Sequence, residues 1–261
     1  MAALIAAGLA GVLVLATVVG APLLAAGVAV VVLVLTWGAI RPAEVPGSGR
    51  AAGLALVVGL GGLAGLIVQD GPDLGPLTAV LGPSLVVAIA LQVARRDGRP
   101  RLTASLTLAV TACALALLPA TWVALRASVD GQASVLVGLT GVGVACLLEG
   151  LPGSRAMVRT LSVLVAGGSG ALLSLTVLAV RDAAPPLNAV TLATFAAVAT
   201  AAANAAVDRI AAEARVPAGA GGPSLSVEPG AFLAAVLPLR VSLPFVVAAP
   251  VTYVLGRILV G

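Results

Sequence analysis

Nine apolar stretches, each about as long as a bilayer is thick, divide this chain of 261 residues. A hydrocarbon core of about 30 Å needs roughly 20 helical residues to cross it. On that measure the candidate spans are 2–20, 22–40, 51–69, 76–94, 102–125, 131–148, 160–180, 186–206 and 231–258. Short breaks rich in Pro, Gly, Asp and Arg separate them, with a longer polar stretch at 207–230. Backbone polar groups in lipid must be satisfied within their own segment, so the spans are read as helices. None shows the alternating pattern of an outer-membrane strand. The expected fold is an all-α integral membrane protein, one polytopic domain over 1–261 with about nine transmembrane helices. Eight is the alternative count; the last stretch carries Pro238, Pro244 and Pro250 and is expected to be a kinked ninth span. Residues 1–20 lack a basic leader and run straight into the next span, so they read as a retained first helix.

Composition agrees with this reading and removes many kinds of chemistry. Hydrophobic residues make up 61% of the chain and charged residues 9%, against about 25% charged in a soluble domain. The chain has no His, which excludes Ser-His-Asp and Cys-His triads and imidazole metal sites. Two cysteines, Cys113 and Cys146, are too few for a thiolate metal site. Six aromatic residues offer no stacking platform for nucleic acid. All fourteen basic residues are Arg, a Lys-free bias typical of a GC-rich bacterial genome. The net charge of +4 therefore says more about topology than about nucleic acid.

The arginines sort by loop. Arg41, Arg50, Arg95, Arg96, Arg99, Arg101, Arg155, Arg159, Arg209 and Arg215 follow even-numbered spans, whereas only Arg126 and Arg181 follow odd ones. Asp70, Asp73, Asp130 and Asp182 accompany that second set. By the positive-inside rule the N-terminus and the loops near 41–50, 95–101, 149–159 and 207–230 face the cytoplasm. The expected location is the bacterial inner (plasma) membrane.

Small residues crowd three spans: Gly59, Gly61, Gly62 and Gly65; Gly138, Gly141 and Gly143; Gly167, Gly168 and Gly170. They let helix backbones approach closely in lipid, which reads as internal packing before it reads as a cavity or a homodimer face.

Ionisable groups collect at the cytoplasmic span ends. In ANAAVDRIAAEAR (203–215), helical spacing puts Asn204, Asp208 and Arg215 on one face, with Arg209 and Glu213 paired at i, i+4 beside it. A carboxylate there reads as a divalent-cation ligand beside arginines for phosphate, or as an ordinary charged helix end. The cluster Arg95, Arg96, Arg99 and Arg101 reads as an anchor or as a holder of anionic headgroups. Arg215 joins them as a phosphate candidate. Glu149 is expected to pair with Arg155 or Arg159. Arg240, inside the last apolar stretch, either snorkels outward or faces the protein interior.

The run LPLRVSLPFVVAAPVTYVLGRIL (237–259) resembles the C-terminal end of the CDP-diacylglycerol synthase (phosphatidate cytidylyltransferase) family. That family has a Leu-Asp-Arg-x-Asp-Ser-Leu-x-Phe stretch followed by an Ala-Pro-Val-x-Tyr helix. Ser242, Leu243, Phe245, Ala249, Pro250, Val251 and Tyr253 fit that shape. Asp208 and Arg209 stand where the family has an acidic and basic helix. The resemblance implies about nine spans, a cytoplasmic site, anionic lipid as ligand, and Mg²⁺ only if catalysis is retained. The family's two aspartate positions read Pro238 and Val241 here. Its His-Gly-Gly and Lys-containing elements have no counterpart, nor has its Asp-x-x-Ala-Tyr motif in 141–160. The resemblance thus implies a degenerate relative, non-catalytic, that binds membrane lipid or serves as a partner in a membrane complex or homodimer. The enzymatic alternative builds its site from Asp208, Glu213 and Arg209; a transporter subunit is the third reading.

Overall fold

The computed structural model describes residues 1–40, 47–69, 71–94, 102–177, 180, 182–213 and 229–260, with side chains withheld at 39, 213 and 229–235. Arg41, Arg95, Arg96, Arg99, Arg101 and Arg215 lie outside the described residues. Among those described there is no strand, and nine helices are long and apolar enough to cross a membrane. The protein is an all-α, multi-pass membrane protein.

The helices are α1 (Ala2–Val19), α2 (Ala21–Leu33), α3 (Ser48–Gln69), α4 (Gly75–Val93), α5 (Leu102–Leu117), α6 (Thr121–Arg126), α7 (Gly131–Glu149), α8 (Arg155–Thr176), α9 (Pro186–Glu213) and α10 (Pro229–Leu259). Two crossings depart from the regular α-helix. α2 widens into a π-helical segment, Val34–Ile40. There the buried Thr36 hydroxyl donates back to the Val32 carbonyl at 2.8 Å. The fifth crossing narrows to a 3₁₀ turn at Leu118–Ala120, where Pro119 supplies no backbone donor. The last stretch, expected to be kinked by its prolines, runs as one helix with Pro238, Pro244 and Pro250 inside it. Four boundaries differ from expectation by three residues or more. α3 begins at Ser48 rather than 51. α8 begins at Arg155 rather than 160 and ends at Thr176 rather than 180; α9 continues to Glu213 rather than stopping near 206.

α7 lies at the centre, packed by α1, α8, α9 and α10. Its glycines carry that packing. A Cβ on Gly138 would come within 3.0 Å of the Trp122 ring, one on Gly141 within 2.8 Å of the Ala193 carbonyl oxygen, and one on Gly143 within 2.9 Å of Ala10 Cβ. Gly59, Gly62 and Gly65 are likewise filled against neighbouring helices. Gly168 is different, with nothing near it. Trp122, buried against α10, donates its indole N–H to the Phe245 carbonyl at 3.1 Å.

Long-range contacts separate two faces. Ala2, Ala3, Glu149, Arg155, Asn204, Asp208 and Arg240 border one cavity, so the start of α1, the α7–α8 turn, the end of α9 and the early part of α10 share a face. At the opposite face Asn188 donates to the Leu259 carbonyl at 2.7 Å, Tyr253 to the Pro72 carbonyl at 2.8 Å, and Arg126 to the Thr17 carbonyl at 3.0 Å. This alternation is what nine crossings require. The charge bias then orients it: in a background with Cys113→Ser and Cys146→Ser, an Arg99→Cys thiol is expected to label only from the cytoplasm and an Asp73→Cys thiol only from outside. Reversed labelling overturns the orientation.

Candidate functional site

The arginine-rich face carries a polar centre, and local sequence explains each arm of it. Ser154 caps α8, its hydroxyl accepting the Met157 N–H at 3.4 Å. That start places Arg155 and Arg159 one turn apart on the same side of the helix. Asn204 and Asp208 are spaced the same way on α9. Glu149 is the last residue of α7, and Arg240 lies in α10 between Pro238 and Pro244.

Asp208 is the hub. Its Oδ2 accepts from Arg159 Nη2 at 3.1 Å, with Arg155 Nε at 4.0 Å. Its Oδ1 accepts from Arg240 Nη2. Three guanidiniums from two other helices thus converge on one carboxylate, only 27% of whose side-chain surface is exposed. Charge-assisted bonds of this kind are roughly twice as strong as neutral ones. They also leave the centre with excess positive charge.

Two spaces adjoin the hub. An open groove of about 520 Å³ is bordered by Arg155, Arg159, Asp208, Arg209 and Arg240. An inner chamber of about 50 Å³ is bordered by Glu149, Asn204 and Cys146, by the small side chains of Ala2, Ala3 and Ala6, and again by Arg155, Asp208 and Arg240. Asn204 borders the chamber together with Glu149, whose Oε1 is buried with no hydrogen-bond partner. Chemically, the groove suits an anion and the chamber offers an unfilled acceptor.

The expected site residues distribute as follows. Asn204 and Asp208 do share a face and a cavity, and Arg209 borders the groove. The Glu213 side chain, and with it the Arg209–Glu213 pair, falls outside the described residues. The expected pairing of Glu149 with Arg155 or Arg159 is corrected: both arginines turn to Asp208, which stands closer to α8 across the α8–α9 packing. Arg240 faces the interior and Asp208 rather than snorkelling to lipid. Sequence reasoning missed Arg155 and Arg159 as Asp208 partners. Their i, i+4 spacing was the available signal, but nothing local says which carboxylate such a pair will meet. The wall that α1 lends to the chamber had no signal at all.

No protein-family model, curated protein or solved structure matches the chain.

Proposed function

We propose that this is a bacterial plasma-membrane protein that holds the phosphate of an anionic lipid at its cytoplasmic face without turning the lipid over. One observation carries the reading: four guanidiniums, on Arg155, Arg159, Arg209 and Arg240, border a groove in which, among the described residues, Asp208 is the single carboxylate. Guanidinium forks match phosphate oxygens in geometry and charge. A groove at the ends of membrane-spanning helices meets lipid headgroups before it meets soluble anions, and juxtamembrane arginines attract such headgroups. The resemblance of 237–259 to phosphatidate cytidylyltransferases fits a lipid phosphate as ligand.

The enzymatic alternative fares worse on the same geometry. Mg²⁺ selects hard anionic oxygens, usually one or two carboxylates together with substrate phosphate. Asp208 already serves three guanidiniums, and a cation entering there would meet their charge. Glu213 sits five residues further along the same helix, turned about 140° away. These residues do not fit the ion.

Native mass spectrometry of the full chain is the test. Dioctanoyl phosphatidylethanol, a singly charged phosphodiester, is expected to bind well above phosphatidylcholine, with the difference shrinking as salt is raised. Equal binding of the two overturns the phosphate reading. With CTP and phosphatidate, no CDP-diacylglycerol is expected. Formation that disappears in Asp208→Asn overturns the non-catalytic reading.

A further inference from the structure

We propose that the inner chamber takes a hydroxyl-bearing arm of the same ligand, so that the headgroup is a phosphodiester of a polyol such as glycerol. This rests on the phosphate reading above and adds a second point of recognition to it.

Three observations lead there. The chamber and the groove share Arg155, Asp208 and Arg240 as walls, so a ligand whose phosphate lies on the arginines has the chamber directly beside it. Glu149 Oε1 is buried there with no hydrogen-bond partner. An unmet buried acceptor is costly, so it calls for a donor. Finally, about 50 Å³ with alanines on one side is room for a group of a few heavy atoms and no more.

The chemistry of the walls selects the donor. An ammonium group would satisfy Glu149 but would lie against the Arg155 and Arg240 guanidiniums, where like charges repel. A hydroxyl donates one hydrogen bond and accepts others. It can give its proton to Glu149 Oε1 and receive from an arginine N–H, using both kinds of wall. A polyol phosphodiester presents such hydroxyls a few bonds from its phosphate; an alkyl phosphodiester of equal charge does not.

The comparison is between dioctanoyl phosphatidylglycerol and dioctanoyl phosphatidylethanol, which carry the same charge and differ in the hydroxyls. Affinities are measured on the full chain in detergent. Phosphatidylglycerol is expected to bind about tenfold more tightly. Glu149→Leu is expected to abolish that preference, read as the ratio of the two affinities measured on the same variant. Should Glu149→Leu fail to fold, Glu149→Gln keeps the volume, and it is expected to shrink the ratio several-fold. Equal wild-type affinities, or a preference that survives the Glu149 variants, overturn the hydroxyl site while Arg240-dependent phosphatidylethanol binding still supports the phosphate groove. Phosphatidylethanol binding indifferent to Arg240→Gln overturns the groove itself. Free sn-glycerol 3-phosphate is the last arm. Its failure to compete at equal concentration supports the lipid as the source of the headgroup, and effective, Glu149-dependent competition overturns it.

Discussion

Gly170→Leu is expected to cost about 3 kcal/mol or more, the upper end of what overpacking does, while Gly168→Leu two residues earlier is expected to be tolerated. The difference lies in what each glycine faces. A Cβ on Gly170 would sit 2.5 Å from the Ala189 carbonyl oxygen and 3.0 Å from its carbon, with Ala193 Cβ at 2.8 Å. Two of those atoms are backbone of α9, which cannot rotate aside, so α8 and α9 must part. A Cβ on Gly168 meets nothing within 4 Å. There Leu replaces a poor helix former by a good one, worth up to about 1 kcal/mol in favour of the helix. Thermal unfolding of the two variants in detergent, followed by size exclusion, reads the contrast. Equal losses would show that Gly170 is not a packing position. Because Arg159 meets Asp208 across this same α8–α9 contact, Gly170→Leu should also weaken lipid binding, whereas Gly168→Leu should not.

Arg240→Gln is expected to lower the affinity for a singly charged phosphodiester lipid by roughly 10- to 100-fold. That is the range of one hydrogen bond to a charged group, about 1.5–3 kcal/mol. Arg240 is the residue that α10 contributes to the centre, and it borders the chamber and the groove alike. Its loss removes a phosphate contact and also frees Asp208 from one of its partners, leaving that carboxylate to repel the ligand. Arg240→Lys keeps the charge and loses the fork, so it should retain part of the affinity. Arg257→Gln serves as the control, since Arg257 sits in the last turn of the same helix, at the other face. A loss of binding as large for Arg257→Gln as for Arg240→Gln would mean that net charge, not the groove, holds the lipid.

The candidate site was partly legible beforehand. Asn204 and Asp208 stand four residues apart on one helix, so their shared face follows from helical period alone. Arg240 stood out because an arginine inside an apolar stretch needs a partner or a route to water. The identity of that partner was not legible, for Arg240 and Asp208 are 32 residues apart and Arg159 and Asp208 are 49 apart. Glu149 was matched to the wrong residues for the same reason. Nearness in sequence favours Arg155 and Arg159, while helix packing gives those arginines to Asp208 and places Asn204 with Glu149 around one cavity.

The number of crossings, their approximate limits and the uneven placement of arginine are properties of the sequence by itself. Each follows from a local requirement: a helix must satisfy its own backbone in lipid, must be about 20 residues long to cross it, and must end where charge can reach water. Which helices become neighbours is decided only by the tertiary structure. In water, an apolar stripe tells a helix which side to bury; in lipid, the surroundings are as apolar as the core, and uniformly Ala-, Val- and Leu-rich helices carry little such stripe. Neighbours are chosen instead by the fit of small residues such as Gly141 and Gly170 against the backbone of α9. That fit brings Arg155, Arg159 and Arg240 to Asp208, and with them the groove and the chamber.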